Sequence, residues 1–234
     1  MPRVISANVG RPKDAAWAGL GATSMDKSSV ERARVTTLGL AGDQVTDTKH
    51  HGGVDQAVYV FAREDLDLWG ERLGKPIRDG GFAENLTTEG IDVNEAEIGE
   101  QWRIGTALFE VAHVRTPCND FKGWMGVGGY DNSHWVKRFS VEARPGPYLR
   151  VLEEGEVAAG DEIEVVHRPG HGLTVSTLFK ALNTEHGLRR LFLDDDGEPL
   201  AALGAEAKER FREWAAQRVP APREPLDPMA EPAE

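Results

Sequence analysis

The sequence predicts a β-rich globular domain followed by a small helical appendage. Across residues 1–167, alternating or continuously apolar runs of strand length are separated by Gly-containing turns. Beyond Arg168-Pro169-Gly170-His171-Gly172 the apolar period becomes helical. The composition, 234 residues with 40% apolar and 28% charged side chains, suits one large domain or one domain plus an attachment.

Taken in order, Val4–Val9 is a short β-rich run, and Ala33–Leu38 leads into the turn-rich Gly39–Asp43. Ala57-Val58-Tyr59-Val60-Phe61 is continuously apolar, which predicts a strand buried on both faces. Glu64–Leu73 is predicted helical: Leu66, Trp69 and Leu73 share one face, and Gly74 with Pro76 supplies the stop. Trp102–Gly105 and Ala107–Val114 form a strand pair across a Gly turn, and Tyr148–Leu152 and Asp161–Val166 read as two further strands. After the hinge, Thr174 is placed to cap a helix whose apolar face is Val175, Leu178, Phe179 and Leu182. Leu188, Leu191 and Phe192 form a second stripe, and Leu203, Ala207, Phe211 and Trp214 a third. The expected layout is an N-terminal strand and loop (1–34), a main domain (35–167), three helices (173–218) and a Pro-rich disordered tail (219–234).

A net charge of −12 argues against nucleic-acid binding, which needs a basic face, but leaves room for a local basic pocket. A single cysteine rules out a disulfide framework and fits a reducing compartment. The opening Met1-Pro2-Arg3-Val4-Ile5-Ser6 lacks a signal-type apolar run, and no stretch reaches membrane-spanning length. A cytoplasmic enzyme or binding domain, with no membrane partner, is expected.

Four segments could carry chemistry. Cys118 follows Pro117 at the end of an apolar run, beside Arg115, Asn119 and Asp120. It is either packing material or a reactive or metal-ligating thiolate. Lys49-His50-His51-Gly52-Gly53 is either a plain hairpin turn or an anion cradle, in which glycine N–H groups, a lysine and two imidazoles face a negative group. Glu84 and Asn85, within Gly80–Leu86, either point into a cavity or end a solvated strand. Gly123–Gly129 lacks the ending of a phosphate-binding loop and is expected to be a mobile rim or linker near Cys118, with Trp124 over a substrate in the first case. No serine nucleophile elbow is present, and a Cys118–His113 hydrolase pair would need a bend in the strand.

The order of Leu40-Ala41-Gly42-Asp43-Gln44, Lys49–Tyr59, Phe82–Gly90, Ile98-Gly99 and Arg115-Thr116-Pro117-Cys118 resembles the MOSC domain, the C-terminal domain of molybdenum-cofactor sulfurases. The likeness runs from about residue 35 to 167, and the following helices resemble the three-helix appendage of stand-alone bacterial members, which include reductases of N-hydroxylated purines. The resemblance implies a mainly β, barrel-like fold with peripheral helices and a molybdenum cofactor (molybdopterin). It implies Cys118 as the metal's thiolate ligand, with Lys49, His51, Gly52, Gly53, Glu84, Asn85, Arg115 and Thr116 at the cofactor. It also implies a small N-hydroxylated substrate and, since no flavin, haem or nicotinamide motif is visible, a separate electron-donor protein. A persulfide carrier on Cys118 and a non-catalytic cofactor- or anion-binding module are the alternatives. Two departures stand out: Ala83 replaces the family's glycine before Glu-Asn-Leu, which would strain a backbone that needs a glycine conformation, and Val114 replaces the proline before Arg115.

Overall fold

The computed structural model describes residues 1–217. Strands β1 (Arg3–Val9), β2 (Lys13–Asp14), β3 (Ala22–Thr23), β4 (Ser28–Val30), β5 (Arg32–Thr36) and β6 (Gly39–Leu40) precede a short 3-10 turn at Val54–Gln56. Then come β7 (Val58–Ala62), α1 (Arg63–Leu73), β8 (Leu86–Glu89), β9 (Gln101–Ile104) and β10 (Ala107–Val114). Helices α2 (Asn119–Val127) and α3 (Trp135–Glu142) lead to β11 (Pro147–Glu153), β12 (Gly155–Ala158) and β13 (Ile163–His167). The described residues end in α4 (Val175–Asn183), a 3-10 helix (His186–Phe192) and α5 (Ala205–Ala216).

Eight strands form one sheet in the order β13-β9-β10-β11-β7-β8-β1-β4, with β12-β5-β6 and β2-β3 in smaller sheets. All pairs in the large sheet are antiparallel except β7–β8, whose parallel register is made possible by the α1 crossover. Every residue of β7 is buried, as its unbroken apolar run requires. Its neighbourhood is an aromatic cluster. Phe82 meets Phe61 at 4.9 Å and Phe121 edge-on at 5.1 Å, Trp69 stacks on Phe139 at 6.0 Å, and Phe139 reaches Phe179 of α4. Each such side chain contributes about 1.5–3 kcal/mol on full burial, so this cluster ties α1, α2, α3 and the C-terminal segment to one core.

The barrel-like expectation needs correction: no closed barrel forms among the described residues. β13 and β4 end the sheet order without pairing to each other, because β4 has only three residues and β13 keeps its last four exposed. The sheet does curl. β1, near one end, exchanges backbone hydrogen bonds with the segment entering β13: Val4 N–H to Asp161 O (2.9 Å), Gly160 N–H to Val4 O (2.8 Å) and Ile163 N–H to Pro2 O (3.0 Å). Helix is also nearly as abundant as strand, at 27% against 29%. A second correction concerns Gly123–Gly129, most of which is helical rather than a mobile rim. Two glycines lower helix propensity, but Cys118 caps α2 and Phe121 and Met125, four residues apart, are buried on one face. Trp124 is held by a bond from Nε1 to Gly81 O (2.8 Å).

The predicted helix 64–73 is α1, closed by Gly74 at φ 67. Thr174 caps α4 through the N–H of Thr177. The stripes at 188–192 and 203–214 become the 3-10 helix and α5. Residues 218–234, which include the predicted tail, lie outside the described residues.

Ala83 adopts φ 63, a left-handed conformation that costs an L-residue about 1–2 kcal/mol. Ala83→Gly is expected to raise stability by about 0.5–1 kcal/mol once the glycine's greater chain entropy is deducted. A thermal melt should show a rise of roughly 1–4 °C in a chain of this size.

Candidate functional site

The exit of β10 determines what the site contains. β10 runs into Val114-Arg115-Thr116-Pro117, and Pro117 prevents the strand from continuing. The next residue, Cys118, has extended backbone and turns the chain into α2, with Sγ accepting the Phe121 N–H at 3.3 Å. The sulfur therefore sits where the partial positive charge of the helix start favours electron-rich groups.

Two adjoining cavities open here. One, of about 1000 Å³, is lined by Cys118, Thr116, Lys49, His113 and Glu206; the other, of about 490 Å³, by Arg115, Lys27, Asp43, Asn85 and Tyr59. His51, Gly52, Gly53, Gln56 and Tyr148 border both. Of the residues expected at the site, Lys49, His51, Gly52, Gly53, Asn85, Arg115, Thr116 and Cys118 are thus brought together. Glu84 is not.

Arg115 dominates the smaller lobe. It is 5% exposed, and its guanidinium carbon lies 5.0 Å from the Tyr59 ring centre and 4.5 Å from that of Phe121. Among the described residues no carboxylate lies within ion-pair distance, and Nε has no hydrogen-bond partner. Such a buried cation, held by aromatic faces and short of acceptors, matches an incoming anion. Lys27, also buried, differs because it has a partner. Its Nζ lies 2.5 Å from Asp43, whose other carboxylate oxygen accepts from Asn85 Nδ2 at 2.8 Å. Burial pulls the Lys27 pKa down against the pull of Asp43, and Arg115 adds to the lowering.

Asn85 lines this lobe, yet its amide serves the scaffold: Oδ1 accepts the Tyr59 N–H at 3.1 Å and Nδ2 binds Asp43. Glu84 is fully buried and faces its own turn, accepting from the N–H of Gly80 (2.6 Å) and of Phe82 (2.9 Å) and from the Thr87 hydroxyl (2.8 Å). Burial pushes its carboxyl up to about 7 in spite of those donors.

The Lys49–Gly53 segment is a cradle of a different kind from the one expected. Its loop is closed by Asp47, which accepts the His51 N–H (3.0 Å) and, through its side chain, the Lys49 N–H (3.2 Å) and His50 Nδ1 (2.9 Å). Gly52 and Gly53 both adopt φ 80, where a side chain would be strained, and among the described hydrogen bonds their N–H groups are unused. His50 is exposed, whereas His51 has its pKa lowered, first by burial and then by Arg115. Positive charge at the site therefore comes chiefly from Arg115 and Lys27 rather than from two imidazoles.

Lys27, Tyr148 and Glu206 escaped the sequence reading as site residues, while His113 was weighed only as a hydrolase partner of Cys118, and Gln56 and Tyr59 entered only as part of the Lys49–Tyr59 motif. Lys27 lies in the unremarkable Asp26-Lys27-Ser28, and Glu206 lies far along the chain on a helix that reads as solvated. Asp43 carried a signal as part of the Leu40-Ala41-Gly42-Asp43-Gln44 motif.

The MOSC domain family matches residues 47–164, half of the chain, and the protein belongs to that family. The solved structure of YiiM from Geobacillus stearothermophilus superposes with a TM-score of 0.73 at 25% identity, over 91% of this chain and 98% of that one. YflK of Bacillus subtilis is 30% identical over 174 residues, 74% of this chain and 76% of that protein. A Gibberella moniliformis protein named Reductase is 27% identical over 185 residues, which is 76% of this chain but only 31% of the fungal protein.

Two measurements check the electrostatics. Asp43→Asn leaves Lys27 buried without its counter-charge, and denaturant unfolding should show a loss of about 3 kcal/mol. Glu84 has a folded pKa of about 7 against an ordinary 4.5, so the folded state binds its proton more tightly than the unfolded chain. The stability Glu84 contributes is present in full below pH 4.5 and is lost as pH rises through about 7. Wild-type stability relative to Glu84→Gln should fall across that window in melts at stepped pH.

Proposed function

We propose that this chain is a molybdenum-cofactor oxidoreductase that reduces N-hydroxylated compounds such as hydroxylaminopurines. The observation that supports it most is the pairing of a cavity-facing thiol, Cys118, with a neighbouring lobe whose buried Arg115 lacks a carboxylate. A phosphorylated pterin that holds a metal through sulfur needs both an anion site and a soft protein ligand. Arg115 and the unused N–H groups of Gly52 and Gly53 fit the anion, and Cys118 fits the metal. Among the described residues no cluster of three His, Cys, Asp or Glu could hold a metal by itself, so Cys118 fits as one ligand beside donors brought by the cofactor. When bound, that cofactor supplies two-electron chemistry at an oxygen atom.

The chain's own residues supply the rest. Thr116 and Cys118 border the place where substrate would meet the metal. Tyr148 borders both lobes, and Asn85 and Asp43 hold Lys27 in position beside the anion site. The fungal relative's name, Reductase, supports a redox role. Electrons come, in this reading, from a separate donor protein.

Wild type and Cys118→Ser, each made in a host that supplies the cofactor, provide the test. Serine preserves an oxygen cap for α2, so loss of function would not reflect loss of the helix. The expected result is about one molybdenum per wild-type chain, little in the variant, and reduction of an N-hydroxylated base by wild type alone. Equal metal in both chains would remove Cys118 as ligand. A persulfide on Cys118 by intact mass would favour the sulfur-carrier alternative, and metal without reduction the binding module.

A further inference from the structure

Three distant parts of the chain converge on the Cys118 lobe: Gln56 from the 54–56 turn, His113 from β10 and Glu206 from α5. One carboxylate oxygen of Glu206 lies 3.5 Å from both His113 Nε2 and Gln56 Nε2. The approach is built in. Gly204 comes so close to β10 that a Cβ there would meet Asp55 Cβ at 3.1 Å and Ala112 O at 3.5 Å, and its N–H bonds Ala112 O at 2.8 Å. The Ala205 N–H then bonds Asp55 at 2.8 Å, which fixes the first turn of α5 beside the cavity.

We propose that protonated His113 donates its Nδ1 proton to substrate in this lobe, and that Glu206, carried in by the C-terminal helical segment, accepts from Nε2–H and holds the ring in place while solvent returns the proton to Nδ1. The proposal rests on the reductase reading above. Conversion of R–NH–OH to R–NH2 and water breaks the N–O bond and consumes two electrons and two protons. The electrons come from the external donor protein; one proton leaves in water with the departing oxygen, and the other ends on nitrogen. The departing oxygen leaves more easily as water than as hydroxide, so a placed acid accelerates the step.

His113 suits that role because it lines the lobe while being 2% exposed, and its Nδ1 has no hydrogen-bond partner among the described residues. A substrate hydroxyl would satisfy that nitrogen. Glu206 suits the second role because its carboxylate reaches His113 Nε2 from a helix whose first turn is fixed beside the cavity. His113 also keeps the Glu206 carboxyl below its ordinary value, so the group facing Nε2 is a charged acceptor. The other charged or titratable groups around the pair are Asp55, Tyr148, His51 and Arg210. Asp55 is already engaged by Arg150 at 2.6 Å and by the Ala205 N–H, which leaves Glu206 as the carboxylate serving His113. The 3.5 Å spacing is longer than a tight hydrogen bond, as catalytic contacts often are before substrate closes a site.

The test uses cofactor-loaded wild type, His113→Gln, Glu206→Gln and Glu206→Asp, with molybdenum content measured for each. His113→Gln should keep its metal and its KM within a few-fold, while kcat for an N-hydroxylated base falls by about 100-fold. Glu206→Gln should lower kcat by about ten-fold with KM within a few-fold, and Glu206→Asp should recover part of the loss. On the metal-free proteins, 15N NMR distinguishes the two ring nitrogens of His113: the neutral ring should carry its proton on Nε2 in wild type, where Glu206 accepts it, and populate both tautomers in Glu206→Gln. Unchanged kcat in His113→Gln, or metal and activity lost in parallel, would overturn the donor role. An unchanged tautomer population in Glu206→Gln would overturn the partnership with Glu206. A wild type that carries metal and reduces nothing would sink the reductase reading, and the donor role with it, a pattern distinct from an active wild type with indifferent variants.

Discussion

A guanidinium buried without a carboxylate is the constraint around which the site is arranged. Arg115 is held between the faces of Tyr59 and Phe121, which attract the cation but leave much of its hydrogen-bonding capacity unspent. Its field reaches outward: it helps depress the protonation of His51 and adds to the lowering at Lys27. Burial of an unneutralised charge costs several kcal/mol. The aromatic core, the β10 exit and the turn into α2 together hold the group where an anion would relieve that cost.

The sequence was most legible where one physical signal acts alone. The unbroken apolar run at Ala57–Phe61 could only be a strand covered on both sides, and Gly74 after a helical stripe marked the end of α1. The lone cysteine and the Gly52-Gly53 pair each left a structural and a chemical reading open in the sequence, and the fold brings both to the border of one cavity. Legibility failed where tertiary contacts override local preference. Residues 119–127 carry too many glycines to look helical, and they are helical because Cys118 caps them and Phe121 and Met125 enter the core. Glu84 failed for the opposite reason. A carboxylate between small residues looks available, but three donors within its own turn consume it.

Closure of the sheet illustrates the same limit. The strands were readable one by one, but whether the outermost pair meets depends on their length and on which residues remain solvated. Neither property shows in hydrophobic period. Likewise, the helical appendage could be read as three stripes, whereas its contribution of Glu206 to the cavity depends on Gly204 and Asp55, which are 149 positions apart in the chain. Ala83 is a case where the sequence comparison and the backbone agree: the position where the family resemblance calls for glycine has a positive φ here.

The hydrogen bond from the Phe121 N–H to Cys118 Sγ has a further consequence. The sulfur already serves as the acceptor that opens α2, and Phe121, three residues on, forms one wall around Arg115. Anything that draws electron density from that sulfur, whether a metal or an oxidant, weakens the bond at the helix start and so acts on the wall of the neighbouring lobe. The thiol and the buried guanidinium, separate in chemistry, thus share one mechanical element. Filling one lobe would be felt as a change of stiffness in the other.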